Sequence, residues 1–373
     1  MLFSQIIGQQ NIKERLRETV LQRRISHAQL FCGPEGVGKL ALAIAYAQYI
    51  CCENPTKTDA CGTCASCLKY QKLAHPDLHF VFPIVKNESK KITVCDNCIS
   101  DFRQTVIENP YITINQWLAK IGDGKQGQIY TNEGDEIIRK LNLKTYESDY
   151  KIMIIWQPEK MHESCANRVL KIIEEPPANT VFILVSDNPA EIIGTIQSRV
   201  QRIPIPPIDM DELMAHAQQT YTLDSNQLPL LSRMARGSWS RMQELITEAD
   251  EQQLNFERFV NMMRLSWVQN IKEIKLWVEE LAAAGREEEK QFLQYAQRMI
   301  RENFVLHLHQ PDVNYISPEE QTFAEKFSQF ITERNVLDMM QELALAEAQI
   351  EQNGNGKIIL FDVTLKLSKL LKK

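Results

Sequence analysis

The strongest indication of fold in this sequence is a glycine-rich stretch, GPEGVGKL, at residues 33–40. It matches the phosphate-binding loop pattern G-x-x-x-x-G-K-[ST] at every position but the last. The apolar run AQLFC precedes it, and the helix-forming run LALAIAYAQYI follows it. A strand, a glycine-rich loop and a helix in that order predict an α/β domain whose loop N–H groups and helix N-terminus face an anion. The candidate nucleotide-binding residues are Gly33, Gly36, Gly38 and Lys39.

The side chains that ATP hydrolysis needs are missing from their expected places. Leu40 stands where a hydroxyl would ligate Mg²⁺. A second buried strand, KIMII at 151–155, ends in Trp156 and Gln157, and neither can carry a negative charge. Glu159 comes three residues after the place of the first acid. The sequence therefore predicts no hydrolysis by this chain, and the glycines either bind a nucleotide or only preserve a tight turn.

Four cysteines follow the first glycine-rich loop and its helix. The run CCENPTKTDACGTCASC at 51–67 contains Cys52, Cys61, Cys64 and Cys67 at spacings that suit tetrahedral Zn²⁺. Such a site has no open coordination position, so we expect structural zinc. An iron–sulfur cluster also uses four cysteines. Cys51 could replace Cys52 as the fourth ligand.

The remaining cysteines and one long polar stretch have plainer interpretations. Cys95 and Cys98 form either half of a metal site or two unrelated thiols, and we favour the second. Cys32 and Cys165 lie in apolar surroundings typical of packing residues. Residues 83–135 are polar and contain glycines, which is typical of an insertion between core elements.

Composition indicates a globular protein of two or three domains. The 373 residues are 44% hydrophobic and 24% charged, and no apolar run reaches the roughly 18 to 20 residues of a membrane helix. The first residues, MLFSQIIGQQ, lack the basic-then-apolar layout of a secretion signal. We therefore expect a cytoplasmic protein with reduced or metal-bound cysteines. A net charge of −6 gives no global attraction to nucleic acid.

The C-terminal part of the chain is helical in pattern. A proline-rich run, RIPIPPIDMDE at 202–212, predicts a domain boundary. Apolar residues then recur at helical spacing, first at Leu293, Ala296, Ile300, Phe304 and Leu308, and later at Ile359, Val363, Leu367 and Leu370. Such stripes serve either a domain core or an interface, and spacing alone does not separate the two.

The N-terminal half resembles the delta-prime family of bacterial DNA polymerase III clamp-loader subunits, within the AAA+ superfamily. The resemblance covers most of residues 1–205. It rests on FSQIIGQ (3–9), RISHAQLFCGPEGVGK (24–39), the cysteine spacing, HPD (75–77), NRVLKIIEEPPANTVFILVSDNP (167–189) and SRV (198–200). The hydrolysing tau/gamma relatives end the last motif in Ser-Arg-Cys; here Val200 replaces the cysteine and the arginine is kept.

The resemblance implies a role for Arg199. Taken alone, an arginine there is either a solvated surface residue or one that reaches a neighbour's γ-phosphate. By carry-over, Arg199, with Ser198 in the same motif, would be an arginine finger that completes the ATP site of an adjacent gamma subunit. In the lid motif GSWSRMQEL, Ser240 stands in place of an arginine. A third apolar run, TVFILVS at 180–186, predicts another buried strand, and the strand-end sensor position falls at 186–188.

The resemblance also implies an architecture, α/β plus all-α. We expect an AAA+ P-loop core at 1–205, with a zinc module at 51–70 and an insertion at about 83–135. A helical lid at 206–248 and a helical collar domain for oligomerisation at 250–373 would follow. The implied partners are tau/gamma and delta subunits in a hetero-pentamer, with a sliding clamp and primed DNA reached through the assembly, and no membrane.

Two other functions compete with a non-hydrolysing subunit that is not an enzyme by itself. One is an active tau/gamma-like AAA+ ATPase that recruits Glu159 or another acid to the metal. Leu40 and Trp156 argue against it. The other is a free-standing zinc-dependent nucleic-acid binder, which suits the cysteines but not the negative net charge or the ATPase-like core.

Overall fold

The computed structural model describes residues 1–86, 92–122, 126–221, 228–308 and 318–372. The chain divides into two compact units, Met1–Leu245 and Ile246–Lys373. The first unit contains strands and helices, whereas the second is helical, as the sequence predicts. Within the described ranges, no helix is both long enough and apolar enough to cross a membrane.

The first unit is built on a five-stranded parallel sheet. Its strands are β1 Ala28–Cys32, β2 Leu78–Val81, β3 Lys151–Trp156, β4 Thr180–Ser186 and β5 Gln201–Pro204. They lie side by side in the order β2-β3-β4-β1-β5. Every residue of β1, β3 and β4 is buried, as expected where helices cover both faces of a parallel sheet. The three strands predicted from apolar runs are confirmed; β2 and β5 are too short to give such a run.

Helices surround this sheet. They are α1 Gln10–Leu21, α2 Lys39–Ile50, α3 Ala65–Gln71, α4 Ile99–Glu108, α5 Ile114–Gly122, α6 Thr131–Asn142, α7 Glu163–Glu174, α8 Gly194–Gln197, α9 Met210–Thr220, α10 Leu228–Ala235 and α11 Trp239–Val268, the last of which continues into the second unit. All twelve residues of α2 are buried. The helix that begins at Lys39 is therefore a core element, which fixes the position of the loop before it.

The polar stretch between β2 and β3 has a buried aromatic core that the sequence analysis did not predict. Phe102 on α4 stacks on Phe82 with ring centroids 3.9 Å apart. Trp117 on α5 packs edge-on against both rings and donates its indole N–H to the Pro83 carbonyl oxygen at 2.8 Å. Phe102 also contacts Trp156, with ring centroids 5.7 Å apart. The stretch is thus joined to the carboxyl end of β3 through aromatic contacts.

The second unit is an all-helical bundle. Besides most of α11 it contains α12 Ile271–Ala284, α13 Arg286–His307, α14 Pro318–Phe327, α15 Val336–Glu351 and α16 Gly356–Leu370. The predicted stripe on α13 contributes Leu293, Ala296 and Ile300 to the core, whereas Leu308 is 41% exposed. On α16, Val363 and Leu367 are buried. These stripes therefore serve mainly the core of the unit.

Candidate functional site

The predicted phosphate loop connects β1 to α2, and its glycines are required by geometry. Gly36 and Gly38 have positive φ angles of 77° and 89°, a region that favours glycine. A Cβ atom on Gly33 would lie 2.1 Å from the carbonyl oxygen of Ile205. The loop leads directly into the N-terminus of α2, which begins at Lys39. The four predicted residues therefore lie together in a tight turn between β1 and α2.

The ammonium group of Lys39 is bonded within the chain. Its side chain is only 4% exposed, and Nζ lies 2.6 Å from Oδ1 of Asp187, just after β4. Nζ also donates a hydrogen bond to the carbonyl oxygen of Pro34. The other carboxylate oxygen of Asp187 accepts a hydrogen bond from the side-chain amide of Gln157. The charge that a phosphate would meet is thus neutralised by the protein's own carboxylate.

Two side chains cover the loop. A Cβ on Gly38 would lie 2.9 Å from the ring of Tyr111, and one on Gly36 would lie 2.0 Å from the hydroxyl of Ser240. The backbone N–H of Ile7 donates to the Tyr111 hydroxyl at 2.8 Å and fixes that ring in place. The cavity between the loop and Tyr111 has a volume of about 20 Å³. That volume holds about one water molecule.

The places where catalytic groups would stand are filled by other contacts. Leu40 is buried, 4% exposed, and Trp156 belongs to the aromatic core, 3% exposed. Oε1 of Glu159 accepts hydrogen bonds from the backbone N–H groups of Asp187 and Asn188, at 3.0 and 3.1 Å. Burial raises the pKa of the Glu159 carboxyl, which disfavours its charged form. Oε1 of this carboxylate therefore holds the loop after β4.

The four predicted cysteine ligands converge. The sulfur atoms of Cys52, Cys61, Cys64 and Cys67 all lie within 4.8 Å of one another. Tetrahedral zinc with Zn–S bonds of about 2.3 Å has sulfur atoms about 3.8 Å apart, and Cys61 Sγ lies 3.9 Å from Cys67 Sγ.

Backbone groups support this cysteine cluster. The N–H groups of Cys61, Cys64 and Cys67 lie 3.2 to 3.4 Å from the sulfur atoms of Cys52, Cys61 and Cys64 respectively. Backbone hydrogen bonds, from Thr63 and from Cys64, lower the pKa of the Cys61 thiol to about 6. N–H groups directed at sulfur stabilise thiolates. The arrangement therefore fits a tetrahedral Zn²⁺ ion.

Cys51 does not belong to the cluster. Its sulfur lies 3.1 Å from the hydroxyl of Tyr70 and 3.8 Å from the carbonyl oxygen of Tyr150. Burial raises the pKa of its thiol to about 11. Cys52, whose sulfur is within the converging set, is therefore the fourth member, and the alternative ligand left open by the sequence is not supported.

The pair Cys95 and Cys98 is buried as two thiols. The Cys95 thiol donates to the carbonyl oxygen of Phe82 at 3.1 Å, and burial raises the pKa of Cys98 to about 12. Among the described residues, the only set of Cys, His, Asp or Glu side chains with metal-ligand geometry is the cluster at 52–67. The packing interpretation of this pair is therefore favoured.

Arg199 lies at the amino ends of the parallel strands, whereas the phosphate loop lies at their carboxyl ends. Strand β5 runs parallel to β1, with Gln29 opposite Gln201 and Cys32 opposite Pro204. The loop follows the carboxyl end of β1, whereas Arg199 precedes the amino end of β5. Along the strand direction, Arg199 and the start of the loop at Gly33 are about six residues apart, which is about 20 Å at 3.3 Å per residue. Arg199 therefore cannot reach a phosphate held by the loop of its own chain.

The guanidinium group of Arg199 is partly exposed and bonded along one side. Nε donates to Oε2 of Glu174 at 2.9 Å. Nη1 donates to the carbonyl oxygen of Thr195 at 3.0 Å and to the hydroxyl of Ser198 at 3.4 Å. Ser198 and Arg199, which the sequence placed in one motif, are thus in direct contact.

Three contacts at the phosphate loop and at Arg199 were not predicted from the sequence. The covering side chain, Tyr111, lies in the stretch that the sequence suggested was an insertion. Asp187 lies in the predicted sensor position, but its pairing with Lys39 has no sequence signature. Glu174 belongs to the IIEEPP run that carried the resemblance, and that run was the available signal.

Proteins of similar sequence are subunits of bacterial DNA polymerase III. The chain is 24% identical over 290 residues to subunit gamma/tau of Mycobacterium bovis, covering 75% of this chain and 43% of that protein. It is 28% identical over 204 residues to subunit delta' of Bacillus subtilis, covering 54% and 48%. It is 30% identical over 200 residues to subunit tau of Bacillus subtilis, covering 54% and 28%. The matched part therefore spans less than half of each relative's length.

Two further comparisons concern a solved structure and a family model, and only the family model adds support. The Bacillus subtilis DNA clamp loader delta protein has a TM-score of 0.36 at 10% identity, over 96% of this chain and 99% of that chain. A likeness at that level carries no argument about function. The family model described as "DNA polymerase III, delta subunit" matches residues 8–209, more than half of the chain. The chain therefore belongs to this family of DNA polymerase III subunits.

Proposed function

We propose that this chain is a non-hydrolysing, delta-prime-type subunit that supplies Arg199 in trans to the ATP site of a neighbouring clamp-loader subunit. The observation that carries the proposal is that Arg199 and the chain's own phosphate loop lie at opposite ends of the parallel strands. An arginine in that position can act on a nucleotide only if another subunit binds that nucleotide. Arginine fingers stabilise the charge that develops on the transferred phosphoryl group.

The state of the chain's own loop supports the same proposal. Lys39 is paired with Asp187, Tyr111 covers Gly38, and the cavity between them has room for about one water molecule. Neither Leu40 nor Trp156 can ligate Mg²⁺. The loop and α2 therefore act as a structural core, and neither ATP nor ADP is a required cofactor of this subunit.

We also propose that the cluster of Cys52, Cys61, Cys64 and Cys67 holds one structural Zn²⁺ ion. When bound, zinc would link the end of α2 to the start of α3, because Cys52 follows α2 and Cys64 precedes α3. Four thiolates leave no position for water or substrate, so the ion takes part in folding and not in catalysis.

The proposed assembly is a hetero-pentamer with tau/gamma-type and delta-type subunits, held together by the helical unit at 246–373. In this proposal the complex loads a sliding clamp onto primed DNA during replication. The names of the relatives support membership of a DNA polymerase III complex. The chain itself then works in the cytoplasm as an assembly component and contacts clamp and DNA through the complex.

An active tau/gamma-like ATPase is the second candidate, because the match to gamma/tau extends over 290 residues. This alternative requires Glu159 to leave the backbone N–H groups of Asp187 and Asn188 and to ligate a metal. It also requires Tyr111 and Asp187 to leave the loop. Turnover by the purified chain alone would support this candidate.

The test is the DNA-stimulated ATPase rate of a loader reconstituted with this chain and its gamma/tau-type and delta-type partners. Arg199→Ala should lower hydrolysis at the served site by about a thousandfold, so that the assembly loses the share of its rate that this site contributes. Arg202→Ala, which removes an exposed arginine three residues further on, is the matched control and should keep the native rate. An unchanged rate with Arg199→Ala in an intact assembly contradicts the proposal.

A further inference from the structure

The hydrogen bonds of Arg199 leave one part of its guanidinium group available. An arginine side chain has five N–H donors on Nε, Nη1 and Nη2. Nε is bonded to Glu174, and Nη1 to Thr195 and Ser198. Among the described residues, Nη2 has no hydrogen-bond acceptor. The side chain as a whole is 34% exposed, so part of it can contact another molecule.

We propose that Glu174 is a positioning residue for Arg199, an inference that rests on the proposed function of Arg199 in trans. The carboxylate of Glu174 fixes the Nε edge, and the turn at Thr195 and Ser198 fixes Nη1. The plane of the guanidinium group is then set before a neighbouring subunit docks, and Nη2 is the donor offered to the neighbour's phosphate.

The location of Glu174 suits this task. It is the last residue of α7, whereas Thr195 lies on α8 and Ser198 follows that helix. Three anchors on two elements therefore define the orientation of one planar group. Holding a reacting group in its productive geometry can change a rate by large factors, because even a displacement of about 1 Å costs up to about a hundredfold.

The charge of Glu174 separates a positioning role from direct contact with the nucleotide. A carboxylate that approached the neighbour's phosphate would repel it, so Glu174 acts through Arg199. A competing interpretation is a surface ion pair without consequence, since the Glu174 side chain is 55% exposed. The two interpretations differ in whether the effect of Glu174 depends on Arg199.

The experiment measures kcat and KM for ATP in the reconstituted, DNA-stimulated loader. Glu174→Ala should slow hydrolysis at the served site about five- to tenfold, so that the loader loses most of that site's share of kcat. KM should stay within about twofold, because the arginine acts on the transition state once ATP is bound. Glu174→Gln keeps an oxygen that accepts from Nε and should keep the rate within about twofold of the native loader. Glu175→Ala removes the adjacent exposed glutamate, which does not bond Arg199, and is the matched control.

A double-mutant cycle with Arg199→Ala decides between the interpretations. In the Arg199→Ala background, Glu174→Ala should have no further effect. An equal loss in both backgrounds, or a native kcat for Glu174→Ala, overturns the inference. If Arg199→Ala itself leaves the rate unchanged, the proposed function has failed instead. Size-exclusion chromatography with light scattering on each variant confirms that the assembly is intact.

Discussion

The two places where this chain could meet a phosphate are organised in opposite ways. At the phosphate loop, Lys39 is 4% exposed and its ammonium bonds Asp187 and Pro34. At Arg199, the guanidinium is 34% exposed, and one of its nitrogen atoms has no acceptor among the described residues. Both places lie on the same parallel sheet, the loop at the carboxyl ends of the strands and Arg199 at their amino ends. The loop is closed by the protein's own groups, whereas the arginine is open to a partner.

Under the proposed function, this difference separates two roles of one fold: the loop no longer hydrolyses ATP, and Arg199 serves a neighbouring subunit. The glycines of the loop remain necessary because Gly33 passes within contact of the Ile205 carbonyl and Gly38 has a positive φ angle. Packing therefore requires these glycines whether or not the loop binds a nucleotide. In this proposal, hydrolysis at the phosphate loop and the action of Arg199 on a neighbouring subunit are separable properties of the fold.

The largest expected effect concerns zinc, because the proposed ion links the end of α2, a core helix, to the start of α3. Cys64→Ser should abolish stoichiometric zinc and lower the melting temperature by about 10 °C or more. Hydrogen exchange should rise in α2 and α3 and stay unchanged near Arg199. Elemental analysis and exchange mass spectrometry measure both effects. Cys51→Ser is the control and should retain zinc; equal zinc loss in that variant would contradict the assignment of Cys52.

A smaller effect is expected at Trp156, where an active relative would need a carboxylate. Trp156→Ala should lower the free energy of unfolding by about 3 to 5 kcal/mol, because it empties a buried aromatic site next to Phe102. Urea unfolding measures the loss. Tyr146→Ala, at an aromatic residue that is 80% exposed, should cost less than about 0.5 kcal/mol. A near-neutral Trp156→Ala would mean that this position is not part of the core.

The smallest effect concerns the Tyr111 ring that lies over Gly38. It tests whether the phosphate loop is closed while Arg199 is exposed. Tyr111→Ala should strengthen binding of fluorescent ADP by about tenfold, since the ring that lies over Gly38 is removed. Tyr111→Phe keeps the ring and loses only the hydrogen bond from Ile7, so it should bind as weakly as the native chain. Tight ADP binding by the native chain, unchanged in Tyr111→Ala, would show that the loop is open.

Much of the fold was readable from the sequence where a pattern is local. Continuous apolar runs gave β1, β3 and β4, and the cysteine spacing gave the four converging sulfur atoms. The role suggested for Arg199 came from a family resemblance and not from spacing.

Contacts between distant segments were not predictable. Tyr111 lies over Gly38 in a stretch that Phe102 anchors to Trp156 at the end of β3, and Ile7 bonds its hydroxyl. Such packing has no local signature. The same holds for Asp187, which lies beside Lys39 because β4 is the neighbour of β1 in the sheet. The polar composition of residues 83–135 concealed a buried aromatic core, since a few large rings are enough to build one.

The most direct test places one lesion at each of the two sites in the reconstituted loader. Lys39→Met removes the charge of the phosphate loop with little change of volume, and Arg199→Ala removes the exposed guanidinium. The account predicts a native DNA-stimulated ATPase rate for Lys39→Met and a clear loss for Arg199→Ala, with both assemblies intact. A loss of rate with Lys39→Met and a native rate with Arg199→Ala would show that this chain hydrolyses ATP in its own loop and would contradict the account.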